Sequence, residues 1–503
     1  MGLVRQKIFA HYFGSSDAGD AFYAALKIPN FLQNLLGDGV LSASFIPVYA
    51  NLVGRGGLEE ADRVAGVIGS LLALVNGTLV AVGIWATPLM IDVIAPGFHG
   101  EKRELTIRLV QIFFPGTGFL VMSAWCLGIL NSHRRFFLSY VAPVIWNIAI
   151  IAALLYFGRT YSQDRLAVAV AWSVFVGSVL QFGVQLPSVL RCAPYLKAGL
   201  NHRLEPVRMI FRNFLPVLVS RGVVQVSAYV DSVFASLLPM GAVSALAYTQ
   251  SIYMLPISLF GMSVSASELS AMSRAQGTVE EKSIILRGRI QAGLRQIAFF
   301  IVPSVVAMLA LGDIIVAGLF QGGEFHQNDS IYVWGVLAGS TVGLLATTLG
   351  RLYSSAFYSL GDTRTPLRFA TIRVALTIAL GYLFGLRMPI WFGIDRSWGT
   401  AGLTLSAGLA GWIEFFLLRR AIGTRLAADN LSPKYLAKLW GAGIVAGALG
   451  WGLKSVVGHA HPVLDLGLIC IPFGVVYFAI TAAIGIDESR RLLRKIAARL
   501  KVQ

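Results

Sequence analysis

The stretch from Asp20 to Gly56, DAFYAALKIPNFLQNLLGDGVLSASFIPVYANLVGRG, reads as one long apolar helix that nonetheless carries Lys27, Asn30, Gln33, Asn34 and Asp38. At about 100° per residue, Lys27, Asn34 and Asp38 fall close together on one face, with Asn30 about 60° to one side. The opposite faces are Phe, Leu, Ile, Val and Ala. An ionisable side chain at the centre of a membrane helix costs roughly 2.5–3.5 kcal/mol on insertion scales, so such groups point into a watery or protein-lined cavity. The chain is therefore expected to surround a polar cavity.

The composition places this helix in a membrane. Of 503 residues, 56% are hydrophobic and only 13% charged, and the mean hydropathy is +0.70. A soluble domain carries about 25% charged residues. Apolar runs of roughly 20 residues recur from end to end between short basic or Gly/Pro-containing breaks, and no stretch reads as a separate soluble domain. Spans are predicted at 21–50, 64–94, 105–131, 137–157, 166–190, 209–238, 242–272, 292–320, 330–359, 366–386, 399–420, 435–457 and 463–485. Met1 to Phe13 is about 20 Å long if helical, too short for a hydrocarbon core of about 30 Å, and reads as the end of a further helix.

Other classes of function find little support. Cys126, Cys192 and Cys470 lie far apart, without a CxxC pair or a His at ligand spacing, so neither a disulfide framework nor a metal site is expected. No GxxxxGK[ST] loop occurs, which argues against ATP hydrolysis within the chain, and no cofactor is expected. The opening MGLVRQKIFAHYFG lacks a signal-peptide cleavage site. The net charge of +16 is read as topogenic Lys and Arg rather than as a nucleic-acid surface. Alternate loops carry most of it, from Arg55 and Arg63 through Arg134 and Arg135 to the tail from Arg490 to Lys501. The other loops hold little more than Lys102, Arg103, Arg159, Arg165, Arg387, Arg396 and Lys454. By the positive-inside rule the first set, and with it the C-terminus, is cytoplasmic.

An internal repeat organises the spans. Pro29 in AALKIPNFL and Pro256 in SIYMLPISL are 227 apart, as are Phe98-His99 and Phe325-His326, and Ser132 in ILNSHRRF and Ser359 in AFYSLGDT. Three anchors at one offset predict two homologous six-helix halves, 1–205 and 206–425, followed by two extra helices and a basic tail in 426–503. The expected fold is thus an all-α integral membrane protein on a fourteen-helix plan. Moving the 209–238 span back by the same offset starts the first helix before Met1, so that helix is expected to be truncated at its N-terminus.

Helices one and two of each half are then expected to line the cavity. They carry Arg5 and Lys7; Asp20, Lys27, Asn30, Gln33, Asn34 and Asp38; Arg221, Gln225 and Asp231; and a stripe of Ser251, Met254, Ser258, Gly261, Ser265 and Glu268 at steps of 3, 4, 3, 4 and 3. Plainer roles stand beside these. Asp20 can cap its own helix, Arg5 and Lys7 can snorkel to a membrane surface, and the stripe can be a helix-packing seam. Arg221 and Asp231 lie about 80° apart on their helix, so each is expected to find a partner elsewhere. Pro29 and Pro256 supply kinks that serve as hinges.

The run GDAFYAALKIPNFLQNLLGDGVLSASFIPVYANL, the PGF at 96–98, the ILNSHRRF turn and the FYSLGDTRTP turn resemble the MurJ/MviN family, within the larger group of multidrug, oligosaccharidyl-lipid and polysaccharide exporters. The similarity covers nearly the whole chain. It implies a two-lobed flippase of the bacterial cytoplasmic (inner) membrane that moves lipid II, the undecaprenyl-diphosphate-linked peptidoglycan precursor, with the last two helices forming a groove for the lipid tail. Arg5, Asp20 and Lys27 match family positions, and Asp38 stands where Glu is common. Two family arginines fall on Gln33 and Ser251, and Gln250 stands where an acid is usual.

A diphosphate in a low-dielectric cavity needs cations, and guanidinium suits it best. Arg5, Lys27 and Arg221 are expected to take the diphosphate, with Asn30, Gln33, Asn34 and Gln250 as neutral partners. Membrane potential or a coupled ion of unknown identity would drive transport, with Asp38, Asp231 or Glu268 as carriers. The alternatives are a flippase for another polyprenyl-linked oligosaccharide, a cation or drug antiporter of the same superfamily, and a transport-dead scaffold for cell-wall synthesis proteins. An integral membrane glycosyltransferase is disfavoured, because no acidic catalytic motif sits in a sizeable loop.

Overall fold

The structure, a computed structural model, describes residues 1–201, 203–274, 279–426, 431–456 and 461–492, without the side chains at 38–40, 42, 43, 213 and 215–228. Among the described residues the chain is helical and divides into two compact units, Met1–Ser244 and Ala245–Gln503. In order, the first unit holds α1 (Gly2–Phe13), α2 (Asp17–Leu36), α3 (Asp38–Gly54), α4 (Leu58–Ile94), α5 (Gly100–Ser132), α6 (Phe136–Phe157), α7 (Gln163–Cys192) and α8 (Glu205–Ser236). The division falls within the first turn of α9 (Ala242–Pro256). Then come α10 (Ser263–Ser273), α11 (Val279–Ala310), α12 (Gly312–Phe320), α13 (Gln327–Val342), α14 (Leu344–Ser359), α15 (Arg364–Gly381), α16 (Met388–Phe392), α17 (Gly399–Leu426), α18 (Pro433–Val456) and α19 (Pro462–Ala483). By packing, α8 belongs with α2, α3 and α4 of the first unit, although the repeat read from the sequence makes it the opening helix of the second half.

Ten helices among the described residues are long and apolar enough to cross a membrane, and α13 with α14, bent by 41°, makes an eleventh. The two expected spans outside this set, 21–50 and 209–238, are the ones that carry Lys27 and Arg221. Lipid tails are as apolar as leucine, so helices here associate by close packing and internal hydrogen bonds. In the first unit Phe9 stacks on Phe13 at a ring-centroid distance of 4.3 Å and meets Phe22 at a tilt at 4.8 Å, and Phe22 meets Phe113 edge-on at 5.3 Å. These rings lock α1 and α2 against α5.

The single helix expected from Asp20 to Gly56 is in fact two. The chain breaks at Gly37, whose φ of −84° and ψ of −139° leave the helical region. A Cβ at Gly37 would stand 2.3 Å from the Gln33 carbonyl oxygen, so this break needs glycine. The rotation that put Asp38 beside Lys27 and Asn34 therefore does not carry through, because Asp38 opens a new helix. The stripe on the 242–272 span is also interrupted. A π-helical turn, Ile257–Met262, follows Pro256 and inserts a residue into the register. Gly261 is buried where a Cβ would lie 2.3 Å from Thr348 Cγ2, and Ser265 is buried too, whereas Ser258 is exposed. The buried part of the stripe is a packing seam.

The repeat is visible in the helix boundaries. α5 spans Gly100–Ser132 and the α13–α14 pair spans Gln327–Ser359, a displacement of 227 at both ends. α4 ends at Ile94 and α12 at Phe320, within one residue of the same displacement. The register slips only before α17, where α16 and a 3-10 turn, Arg396–Trp398, lengthen the second half.

The turn between α14 and α15 is closed by Asp362, which accepts from the Thr365 N–H at 3.0 Å and its hydroxyl at 2.7 Å and pairs with Arg425 at 2.6 Å. The Thr365 amide and hydroxyl, with Arg425, hold its carboxyl down at about 2. A depressed carboxyl stabilises the fold above the unfolded value of about 3.9 and loses that contribution as pH falls through its folded value. Asp362→Asn is thus expected to melt below the parent at neutral pH, the gap narrowing as pH drops from about 4 towards 2, read by thermal unfolding in detergent. In the same measurement Gly37→Ala is expected to cost about 1–3 kcal/mol of backbone strain. Gly77→Ala, where a Cβ meets nothing within 4 Å, is expected to leave the transition in place.

Candidate functional site

Ser16 caps α2 by accepting the Gly19 N–H at 3.2 Å, so Asp20, one turn in, does not cap its own helix. It caps another. Asp20 accepts from the Gly241 N–H at 2.8 Å, the Ser244 N–H at 2.8 Å and the Ser244 hydroxyl at 2.7 Å, where α9 begins. Lys102 Nζ, at the start of α5, donates to Asp20 at 2.9 Å and to Asp17 at 2.7 Å, and lies 4.3 Å from the centre of the Phe98 ring. With 1% of its surface exposed, Asp20 is a fully engaged carboxylate joining α2, α5 and the first turn of α9.

Two turns further along α2, Lys27 points to α8. Its ammonium donates to the Ser232 hydroxyl, and the neighbouring Asp231 adds its negative charge to the surroundings. Tyr229, one turn before Ser232, donates to the Lys27 carbonyl at 2.6 Å and meets Phe31 edge-on at 5.4 Å. Lys27 is thus held within the first unit, and among the described residues its direct partner is a hydroxyl. Arg221 stands eleven residues before Ser232 on α8, about 16 Å along the axis. The side chains of Asp38, Arg221 and Gln225 lie outside the described residues.

Arg5 lies over the Trp146 ring at 4.8 Å, so α1 packs its guanidinium on α6. Asn30 and Gln33 are half-buried and Asn34 is exposed; Pro29 is buried within α2. In the second unit Gln250 is exposed, and Ser251 turns its hydroxyl back to the Ala247 carbonyl at 2.9 Å. Glu268 sits 3.9 Å from Arg289 and keeps one carboxylate oxygen buried without a donor. Pro256 ends α9 at the π-helical turn.

Sequence reasoning missed two groups. Tyr229, Ser232, Ser244 and Lys102 carry the contacts of Lys27 and Asp20, and no spacing in the sequence ties them together. In the second unit Arg373 on α15 pairs with Glu414 on α17 at 3.2 Å, with Arg351 of α14 and Tyr253 of α9 in the same electrostatic neighbourhood. Charges inside the spans at 330–359, 366–386 and 399–420 were the signal for this group. Among the described residues no three His, Cys, Asp or Glu side chains are placed to hold a metal ion.

Comparison with known proteins agrees with this architecture. The family described as lipid II flippase MurJ matches residues 9–471. A probable lipid II flippase MurJ from Rhizobium tropici is 30% identical over 96% of this chain and 91% of its own length. The lipid II flippase MurJ of Burkholderia cenocepacia is 30% identical over 90% and 86%. Among solved structures, a lipid II flippase MurJ in an inward closed conformation superposes with a TM-score of 0.79 at 24% identity, covering 98% of this chain and 97% of that one. An inward-facing multidrug resistance MATE family transporter of the MOP superfamily gives 0.68 at 20% identity over 85% and 96%. With a family match over nearly its full length, relatives at 30% identity and a matching fold, the chain belongs to the MurJ lipid II flippase family.

Proposed function

We propose that this multi-pass membrane protein translocates lipid II across the bacterial cytoplasmic membrane by alternating access of its two repeats, with its C-terminus in the cytoplasm. Family membership supports the substrate, and the distribution of Lys and Arg between alternate loops supports the orientation. The observation that carries the mechanism is Lys27. An ammonium on α2 whose direct partner among the described residues is a neutral hydroxyl has further N–H donors and a positive charge to offer an anionic head group. Arg5 and Arg221 complete the cationic set in this reading, with Asn30, Gln33 and Asn34 donating to sugar and diphosphate oxygens. Gln33 and Ser251 at family arginine positions place more of the charge on Lys27 and Arg221.

Asp20 serves a different purpose. A carboxylate that already takes four donors has little to offer a diphosphate, which it would repel, and its role in this reading is to fix α2 to α5 and α9. Energy comes from the membrane potential or a coupled ion. Asp231 is the preferred carrier because it lies in the field of Lys27, while Glu268 is opposed by Arg289.

Three outcomes test this reading in a strain depleted of its own flippase, with lipid II exposure on the outer face assayed in parallel. Lys27→Ala is expected to abolish both growth and exposure while Lys27→Arg retains them; equal activity of the two removes Lys27 from head-group binding. Arg221→Ala is expected to abolish complementation, and full growth excludes that arginine. Asp20→Ala is expected to lower folding stability by about 3–5 kcal/mol, as for a buried pair losing one partner. An Asp20→Ala protein that folds normally yet cannot transport would return Asp20 to the binding site. Rescue of growth without lipid II exposure would point to another polyprenyl-linked glycan.

A further inference from the structure

A cavity of about 450 Å³ lies in the second unit between α12, the start of α13, the end of α18 and the start of α19. Its charged lining is Asp313, Lys454 and Asp465, with Gln321 and Gln327 beside them. Lys454 Nζ donates to Asp313 Oδ2 at 2.5 Å. The one ammonium of the lining is engaged by Asp313, so among the described residues the lining holds two carboxylates and a single cation. Oδ1 of Asp313 and Oδ1 of Asp465 are each covered by protein without a hydrogen-bond donor. A carboxylate shielded from water on one oxygen calls for strong donors on the other. Lys454, for its part, has further N–H groups beyond the one engaged by Asp313.

The cavity has apolar walls as well, from Ile314, Ile331 and Ile469. Below it on α19, Leu464, Leu468, Ile471 and Val475 are 61%, 56%, 68% and 61% exposed. Their spacing of 4, 3 and 4 puts them on one helix face, about 120° around α19 from the side on which Pro462, Asp465 and Ile469 line the cavity. The charged groups stand where α18 ends and α19 begins. A pocket with acid, base and apolar walls, on a helix that also carries an exposed apolar face, matches a molecule with a cation, an anion and hydrocarbon chains.

We propose that this cavity binds the head group of a zwitterionic aminophospholipid. The primary ammonium of an ethanolamine lies between Asp313 and Asp465, the phosphate takes the remaining donors of Lys454, and an acyl chain follows the exposed face of α19. The match requires a cation that donates hydrogen bonds. A choline head group has no N–H, while phosphatidylglycerol and a polyprenyl phosphate have no cation at all. The site is separate from Lys27 and does not depend on which glycan lipid is transported.

Full-length protein purified in detergent and exposed to each lipid at equal concentration, with retention read by native mass spectrometry, tests the assignment. Phosphatidylethanolamine is expected to be retained at least about tenfold over phosphatidylcholine, phosphatidylglycerol and undecaprenyl phosphate. Asp465→Asn, which leaves the Asp313–Lys454 pair intact, is expected to reduce it to the level of phosphatidylglycerol, and Asp92→Asn, remote in sequence and paired with Arg103, is expected to change nothing. Equal retention of the four lipids by the parent protein, or undiminished phosphatidylethanolamine binding by Asp465→Asn, overturns the proposal. The comparison among lipids on the parent protein decides the matter even if a variant fails to fold.

Discussion

The carboxylate of Asp20 is the constraint around which the first unit is arranged. Within a bilayer an ionised group cannot fall back on water, so its charge must be met by protein donors or the group must move. Here it is met by backbone and hydroxyl donors where α9 begins and by Lys102 at the head of α5. The donors come from two distant parts of the chain, residues 241–244 and Lys102, and both must arrive together for the charge to be tolerated. The contact therefore specifies geometry more sharply than apolar packing does, since leucine against leucine is nearly as good one notch along. Two acidic residues in the first turn of α2 also suit the positive end of that helix. Lys102 near the same end of α5 is unfavourable on that count and is held in place by the pair of aspartates.

Lys27 shows the opposite arrangement. Its ammonium meets a serine hydroxyl, and the tyrosine nearby addresses its backbone rather than its charge. A cation left with a neutral partner keeps its field, whereas one locked to a carboxylate would lose it. Among the described residues, charges in the spans thus divide into those met by an opposite charge, such as Asp20 with Lys102 and Arg373 with Glu414, and those met by a hydroxyl, as Lys27 is. Burial alone does not separate the two groups. The identity of the partner does.

Much of this was legible beforehand because the membrane restricts what a sequence can do. Apolar length located most of the spans, and the 227-residue offset located the repeat, which agrees with the helix boundaries to within a residue from the end of α4 through both ends of α5. The breaks were not legible. Gly37 is one of 53 glycines, and only the nearness of the Gln33 carbonyl distinguishes it from one that sits quietly inside a helix. The π-helical turn after Pro256 was equally hidden, since hydrophobic periodicity cannot register a single inserted residue. The functional pairing of Lys27 was half visible. An unexpected charge pointed to α2, but Ser232 and Tyr229, some two hundred residues away, are ordinary residues until folding brings them alongside.

The repeat is not mechanically even. α5 runs unbroken for 33 residues through Pro115 and Gly116, while its counterpart is divided at Gly343 and bent by 41°. A continuous rod resists flexure along its whole length; a rod with a joint yields at that point and leaves its two arms stiff. Duplication has therefore left a chain with one rigid strut and one articulated one, so that sequence symmetry coexists with unequal compliance, and a substitution at position 116 need not have the same effect as one at 343.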